Sequence, residues 1–356
     1  VTLRRVLLAG FYPPPFAGEP IHVKQLADFL RDRGMEVEVL NLNRHAAPSP
    51  EYRCGSSRLA LMRMLFLLPD EAGVLHLHTN GHSWKSWLMI AVASLAARLR
   101  GVRAILTLHS GLLPGYVATF STPPRVVARW LLAAFERVVC VNSEIAAATE
   151  SLGLPPSGIV VIPAFMGVPE PGPLAREDQR LADVFRPLLV AVAGGEANPE
   201  EGLVVVLEAL RELHRTRPTA GAVFLGWQVG VSLPKAIEES GLSAHVACLG
   251  EVSHDRCLGL IARADVVVRS TFVDGDAITV REALSLGVPV VASDTAFRPD
   301  GVILFRKGSA ADLSAKLVKA LSGIEPKPAP RSEVVDARKP LWELYCELSE
   351  REAALK

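Results

Sequence analysis

The 356-residue sequence has no apolar run long enough to cross a bilayer, no CxxC pair and no excess of charge of either sign. Each absence excludes something. The longest apolar run, WLMIAVASLAA from Trp87 to Ala97, lies between Lys85 and Arg98. It falls short of the roughly 20 residues of a spanning helix and reads as a buried or interfacial helix. Lys+Arg and Asp+Glu are equal at 38 each, and no basic stretch carries interleaved aromatics, which argues against nucleic acid as a partner. The five cysteines, Cys54, Cys140, Cys248, Cys257 and Cys346, are odd in number and far apart. They read as small apolar core residues in a reducing, cytoplasmic setting. The opening VLLAG has no charged region, apolar stretch and cleavage site in succession, so it is expected to be a strand and not a signal peptide.

What is present points to two domains. At this length a single hydrophobic core is unusual, and the 49% hydrophobic content suits globular halves. A mean hydropathy of +0.27 leads us to expect some exposed apolar surface. RVLLAG, EVEVLNL, GVLHLH, AILTLHSG and RVVCVNS read as strands alternating with helices. One of these helices repeats Val23, Leu26, Ala27 and Leu30 and is closed by Gly34. Prolines cluster and periodicity is lost at about Pro163 to Arg186. A second series follows: PLLVAVAGG, AGAVFLGW, HVACLGEV, ADVVVRST, GVPVVASD and GVILFRKG. The expectation is therefore α/β, with two Rossmann-like, doubly wound parallel-sheet domains facing a central cleft. Their bounds are 1–165 and 187–325, joined by a linker at 166–186. After the break at Pro326 to Pro330, a helix in 326–356 carries Leu341, Leu344, Tyr345 and Leu348 on one stripe and is expected to pack back toward the first domain.

Ligands of such sheets bind at strand ends, which selects Gly18, His78, His109, Gly194, Gly226, Gly250 and the stretch STFVDGDAITVREALSLGVPVVASD. That stretch sets Asp274, Asp276 and Glu282 around a helix start, where anions usually bind. One reading is capping, with Asp276 or Thr279 as N-cap and Gly287 as the stop. Another takes Asp274 and Asp276 as an Asp-x-Asp clamp for Mg²⁺ or Mn²⁺, the metal site of GT-A glycosyltransferases. His76, His78 and His82 in HLHTNGH suggest zinc, but no Cys or carboxylate completes a set, so His78 is read as a ligand-facing residue and no metal site is assigned.

The chain resembles the retaining GT-B glycosyltransferases of glycosyltransferase family 4 over nearly its whole length. The strongest match is the unit Asp274-x7-Glu282 with its continuation EALSLGVPVVAS. Lesser matches are PPPFAGEPIHVKQLADFLRDRGMEVEVL, LHLH, TLHSG and LGEVSHDRCLGLIARADVVVRST. The resemblance implies that Asp274 holds hydroxyls of a donor sugar, Glu282 the ribose of its nucleotide, and His109 the sugar near the reacting carbon. The diphosphate would lie over the amides of Gly275, Asp276 and Ala277. Gly18, Gly194 and Gly195 would let backbone approach the donor, Gly226, Gly250 and Val252 would border the base, and His78 would face the acceptor side.

The chain departs from that family where GGEANPEEGL puts Glu196 and Glu201 in place of a basic pair. Arg281, Arg269, Arg298 and Lys307 are the candidates to replace the two cations, Arg281 first. The implied reaction moves a sugar from a nucleoside-diphosphate sugar to a hydroxyl of a saccharide or lipid-linked saccharide, with retained configuration. It needs neither a cofactor nor a divalent metal and belongs to polysaccharide or glycolipid assembly. Ser56 to Pro69, which mixes Arg58 and Arg63 with Leu, Met and Phe, reads either as a buried helix or as a peripheral contact on the inner face of a membrane. Two other readings stay open: a GT-B partner subunit that binds nucleotide sugar without turnover, and a GT-B epimerase or phosphorylase.

Overall fold

The computed structural model describes residues 5–54, 73–168, 170–192, 199–226, 232–323 and 335–355. The chain divides into two compact units: Val1–Met166 with Asp336–Lys356, and Gly167–Val335.

In the first unit, strands β1 (Arg5–Gly10), β2 (Glu36–Asn41), β3 (Arg53–Cys54), β4 (Gly73–Thr79), β5 (Arg103–Leu108), β6 (Arg137–Cys140) and β7 (Ile159–Val161) form one sheet in the order β3-β2-β1-β4-β5-β6-β7. All pairings are parallel. The central strands are covered on both faces, which is why β1 and β4 read as unbroken apolar runs and not as alternating ones. The polar exceptions in β4 are His76, His78 and Thr79, all buried. Helix α1 (Gly18–Arg31) buries Val23, Leu26, Ala27 and Leu30 as its spacing predicts. Helix α2 (Trp84–Arg100) starts at Ser83, whose side chain accepts from Ser86 N, and ends at Gly101 with φ +64°. Helices α3 (Leu113–Ala118), α4 (Thr122–Leu132) and α5 (Ser143–Glu150) complete the series. The terminal helix α12 (Arg338–Leu355) places Leu341, Leu344, Tyr345 and Leu348 in the same core as Val6, Leu8, Val23 and Leu26. Burying each such Leu contributes about 1.5–3 kcal/mol.

The second unit repeats the plan with β8 (Leu188–Val192), β9 (Gly221–Leu225), β10 (Val246–Gly250), β11 (Val266–Arg269), β12 (Val290–Ser293) and β13 (Ile303–Phe305). The order is β10-β9-β8-β11-β12-β13, again parallel throughout. Helices α6 (Arg176–Val184), α7 (Pro199–Leu213), α8 (Ser232–Ser240), α9 (His254–Arg263), α10 (Ile278–Ser285) and α11 (Ala310–Leu321) accompany it. Each sheet therefore reverses its strand order beside its first strand, at β1/β4 and at β8/β11. Those are the switch points where ligands of open α/β sheets bind.

Some local expectations differ. The proline-rich stretch contains α6, whose Asp178 is fully buried and takes 2.8 Å bonds from Arg256 Nε and Nη2. That helix is held by a tertiary ion pair, which its own periodicity does not announce. Strands β3 and β7, two and three residues long, carry too little pattern to be seen in sequence. The cysteines are not all core residues: Cys140 and Cys257 are buried, Cys54 and Cys346 half-buried, and Cys248 exposed on β10. Val246–Gly250 is an edge strand with none of its residues fully buried, and Cys248 is the most exposed of them. Among the described residues no helix is long and apolar enough to cross a membrane.

Candidate functional site

The acidic loop of the second unit is an arginine-binding loop. Asp274 accepts from Arg269 Nε at 2.8 Å and Nη2 at 3.1 Å, from Thr271 Oγ1 at 2.9 Å and from Arg298 Nη1 at 2.8 Å. Three of these bonds go to Oδ2 and one to Oδ1, so the carboxylate is held in place by protein donors with acceptor capacity left on Oδ1. Burial alone would raise its carboxyl, but the Arg269 and Arg298 guanidiniums outweigh that and hold it well below the usual carboxylate range. Asp276 is paired in the same way: both of its oxygens accept from Arg281 Nε, at 2.7 and 2.9 Å.

The capping reading fails at one end and holds at the other. The N-cap of α10 is Ala277, without a side-chain cap bond. The helix does stop at Gly287, whose φ of +73° suits glycine. Three arginines thus stand among the three carboxylates Asp274, Asp276 and Glu282, which balances the charge of the loop despite its acidic sequence.

Arg269 Nη1 also donates to Val192 O at 3.2 Å. This guanidinium thus lies against the end of β8, at the switch point with β11. Arg298 is held by Ser293 O and Oγ and by Thr271 Oγ1. Arg281 additionally donates to Val335 O at 3.4 Å. Lys307 is exposed beyond β13 and stands apart from the three. Gly194, Gly195 and Glu196, together with the side chain of Glu201, lie outside the described residues, as does Ser56 to Pro69.

Glu282 is the carboxylate that arginine does not claim. It is 0% exposed, its Oε1 accepts from His254 Nε2 at 2.5 Å, and its Oε2 has no hydrogen-bond partner among the described residues. A buried carboxylate oxygen without a donor is costly. Gly226, with φ +79°, donates to Gly250 O at 2.7 Å, and Gly250 has φ +63°. Both need the left-handed region that glycine supplies. Val252 packs against the core beside them.

In the first unit the histidines converge at the β1/β4 switch point. His78 Nδ1 and His109 Nε2 face each other at 3.2 Å. His22, from α1, packs its ring 5.3 Å from both, and its Nδ1 donates to Ala164 O at 2.6 Å. His76 is a scaffold: its two ring nitrogens are taken at 2.7 Å by Tyr345 Oη and Thr107 Oγ1. Its ring lies 4.1 Å from that of His78. Burial lowers His22 to about 4 and drives His78 and His109 well below the ordinary histidine value, helped for these two by neighbouring histidines. The set is thus neutral imidazole. Gly10 is required by close approach, since a Cβ there would sit 2.9 Å from His78 Cβ. Gly18 begins α1 in open space and answers no packing need.

Two residues of these clusters escape the strand-end filter because they sit on helices. His22 lies on the buried stripe with Leu26 and Leu30, four and eight residues on, and that spacing is the signal that it points inward. His254 opens α9 and has no comparable signal, because its partner Glu282 is 28 residues away.

Comparison with known proteins agrees with this architecture. The profile of Glycosyltransferase Family 4 matches residues 18–166, and that of Glycosyl transferases group 1 matches residues 186–327. Among solved structures, HepE of Anabaena, crystallised with UDP and glucose, superposes with a TM-score of 0.71 at 16% identity over 98% of this chain and 100% of its own. Sucrose-phosphate synthase of Thermosynechococcus elongatus does so with a TM-score of 0.71 at 16% identity, over 97% and 99%. Comparison with curated protein sequences returns no match. Two doubly wound parallel units of this strand order, matched in turn by these two profiles, place the chain among the GT-B glycosyltransferases of the family-4 type.

Proposed function

We propose that the chain moves a sugar from a nucleoside-diphosphate sugar to a hydroxyl of a saccharide or lipid-linked saccharide, retaining the anomeric configuration and using no divalent metal. The observation that carries this reading is Glu282, a fully buried carboxylate with one oxygen oriented by His254 and the other without a donor. A vicinal diol such as a ribose supplies the missing hydrogen bond, and its charge-assisted strength compensates the buried anion. HepE was crystallised with UDP and with UDP-glucose, so UDP-sugars come first among donors.

In this mechanism the bond from the anomeric carbon to the diphosphate oxygen breaks and a bond to the acceptor oxygen forms on the same face. The acceptor proton passes to the departing diphosphate. Charge builds on that leaving group, and stabilising it is the main electrostatic task. Arg269 and Arg298 take the role of the basic pair that Glu196 and Glu201 displace, and Asp274 fixes their geometry. His109, neutral and buried on one side, offers a hydrogen bond to the sugar, with His78 behind it. What speaks against the metal-clamp reading is that Asp274 and Asp276 already accept from guanidiniums.

A peripheral membrane contact is part of the proposal, and among the described residues one surface suits it. On α2 the exposed side chains Trp84, Leu88, Leu95 and Leu99 recur at helical spacing, and the adjoining α4 exposes Val126, Val127 and Trp130. Arg98 ties the two helices by donating to Trp130 O at 2.9 Å and lying over its ring. The two helices carry Lys85, Arg98, Arg100, Arg125 and Arg129 and no acidic residue. Apolar side chains among cations suit an anionic lipid surface, where a lipid-linked acceptor resides.

The test is a transfer assay with UDP-, GDP-, ADP- and TDP-sugars in EDTA, scoring released nucleoside diphosphate. Release with one nucleotide family supports the proposal. Binding without release selects the partner-subunit reading.

A further inference from the structure

Three of the first unit's histidines have a property beyond sugar binding. One ring nitrogen from each of His22, His78 and His109 lies within 4.8 Å of one from both others. His22 has its tautomer fixed: Nδ1–H donates to Ala164 O, so Nε2 carries a bare lone pair, and that atom is buried without a partner among the described residues. A backbone carbonyl holding the far nitrogen of a histidine is the usual support of a metal ligand. His78 Nδ1 and His109 Nε2 stand 3.2 Å apart. Tetrahedral zinc, with Zn–N bonds of about 2.0–2.1 Å, places its nitrogen ligands roughly 3.3 Å from one another. The contact between His78 and His109 is a hydrogen bond, so one of the two nitrogens carries a proton and must give it up by tautomer exchange for both to ligate. Their spacing is then that of two ligands, and with one nitrogen of each histidine within 4.8 Å of the others the three need to approach by at most about 1.5 Å. His76 is not a fourth ligand, because Tyr345 and Thr107 hold both its nitrogens. Its ring instead backs His78.

We propose that His22, His78 and His109 form a site for a single Zn²⁺ ion at the β1/β4 switch point, with three imidazole ligands and the fourth position open. Three neutral imidazoles with no carboxylate or thiolate favour zinc over the hard cations that activate phosphate chemistry. His109 is also the histidine offered to the sugar in the transfer proposed above, so the ion and the donor would compete for it; the test of the site reads metal uptake and does not depend on that reading.

The full chain, stripped with chelator, is titrated calorimetrically with zinc chloride and, separately, with Co²⁺ followed by visible absorption. The expected result is saturation at a single equivalent, with the ligand-field bands of low-coordinate cobalt. His22→Ala and His78→Ala should each weaken uptake by about 10-fold or more, while His45→Ala, at an exposed histidine, should leave it unchanged. Since removing a buried histidine also threatens the fold, the unmutated chain supplies a second reading. The ¹⁵N resonances of the three imidazoles should shift on zinc addition, and those of His45 should not. No saturable uptake at millimolar zinc, uptake lost in His45→Ala, or imidazole resonances that stay in place would overturn the site.

Discussion

His254 Nε2 donates to Glu282 Oε1 across 2.5 Å, joining the first residue of α9 to the middle of α10. The bond fixes which oxygen of a fully buried carboxylate is left for a ligand. His254 is thus a positioning residue acting through Glu282. We expect His254→Ala to raise the donor KM by about 10-fold, the worth of one hydrogen bond to a charged group, with a smaller effect on kcat. His254→Gln, which restores an N–H donor, should recover part of the loss. Steady-state kinetics of the two variants checks this, and a purely structural role would not separate KM from kcat in this way.

Asp274 ties Arg269 to Arg298, so Asp274→Asn should cost more than a surface ion pair does. Removing one partner of a buried pair typically costs about 3–5 kcal/mol. The folded-state carboxyl lies below its unfolded value. Its contribution is therefore fully present above the unfolded value of about 4 and is lost as pH falls toward the depressed folded value. Denaturant unfolding from neutral pH downward should show wild-type stability falling below about pH 4, with a shallower fall in Asp274→Asn.

Replacing Arg298 by methionine removes one cation from the proposed leaving-group site. Loss of one such donor costs about 100-fold in kcat or more in comparable sites. Single-turnover rates should fall by that order, with donor affinity less affected.

The apolar faces of α2 and α4 predict binding to vesicles that contain anionic lipid and little binding to neutral ones. Trp84→Ser combined with Leu99→Ser should abolish flotation with anionic vesicles and leave transfer to a water-soluble acceptor intact. Both side chains are mostly exposed, 66% and 70% respectively, so folding should be unaffected.

Gly10→Ala should destabilise the first unit by about 1–3 kcal/mol, because the added methyl overpacks a filled site. It would meet His78 Cβ at 2.9 Å and Val23 Cγ2 at 3.1 Å. Thermal unfolding measures it.

Much of the fold was legible because parallel sheets write buried strands as apolar runs, and because helix stripes such as Val23, Leu26, Ala27 and Leu30 repeat locally. What escaped depended on distant partners. The arginines show the boundary. Arg269 with Asp274 and Arg281 with Asp276 are each five residues apart and, in retrospect, visible as pairs, whereas Arg298 reaches Asp274 from beyond β12. The same acids read in isolation suggested caps, sugar ligands or a metal clamp, since sequence gives the carboxylate but not what it already binds. The histidine cluster had the same limit: His78 and His109 were placed by their strand ends, while His22 joins them only through the docking of α1. Helix α6 was hidden for a related reason, since its buried Asp178 is stabilised by Arg256, 78 residues away.

The central claim is that Glu282 receives the nucleotide of a sugar donor. Comparing wild type with Glu282→Gln in EDTA, by calorimetric binding and nucleoside-diphosphate release across the four donor families, tests it most directly. The account predicts that wild type binds and turns over one family and that the glutamine variant loses about 10- to 100-fold in kcat/KM, the loss of a charge-assisted hydrogen bond. Equal binding and turnover by the two proteins, or neither activity with any donor, would contradict it.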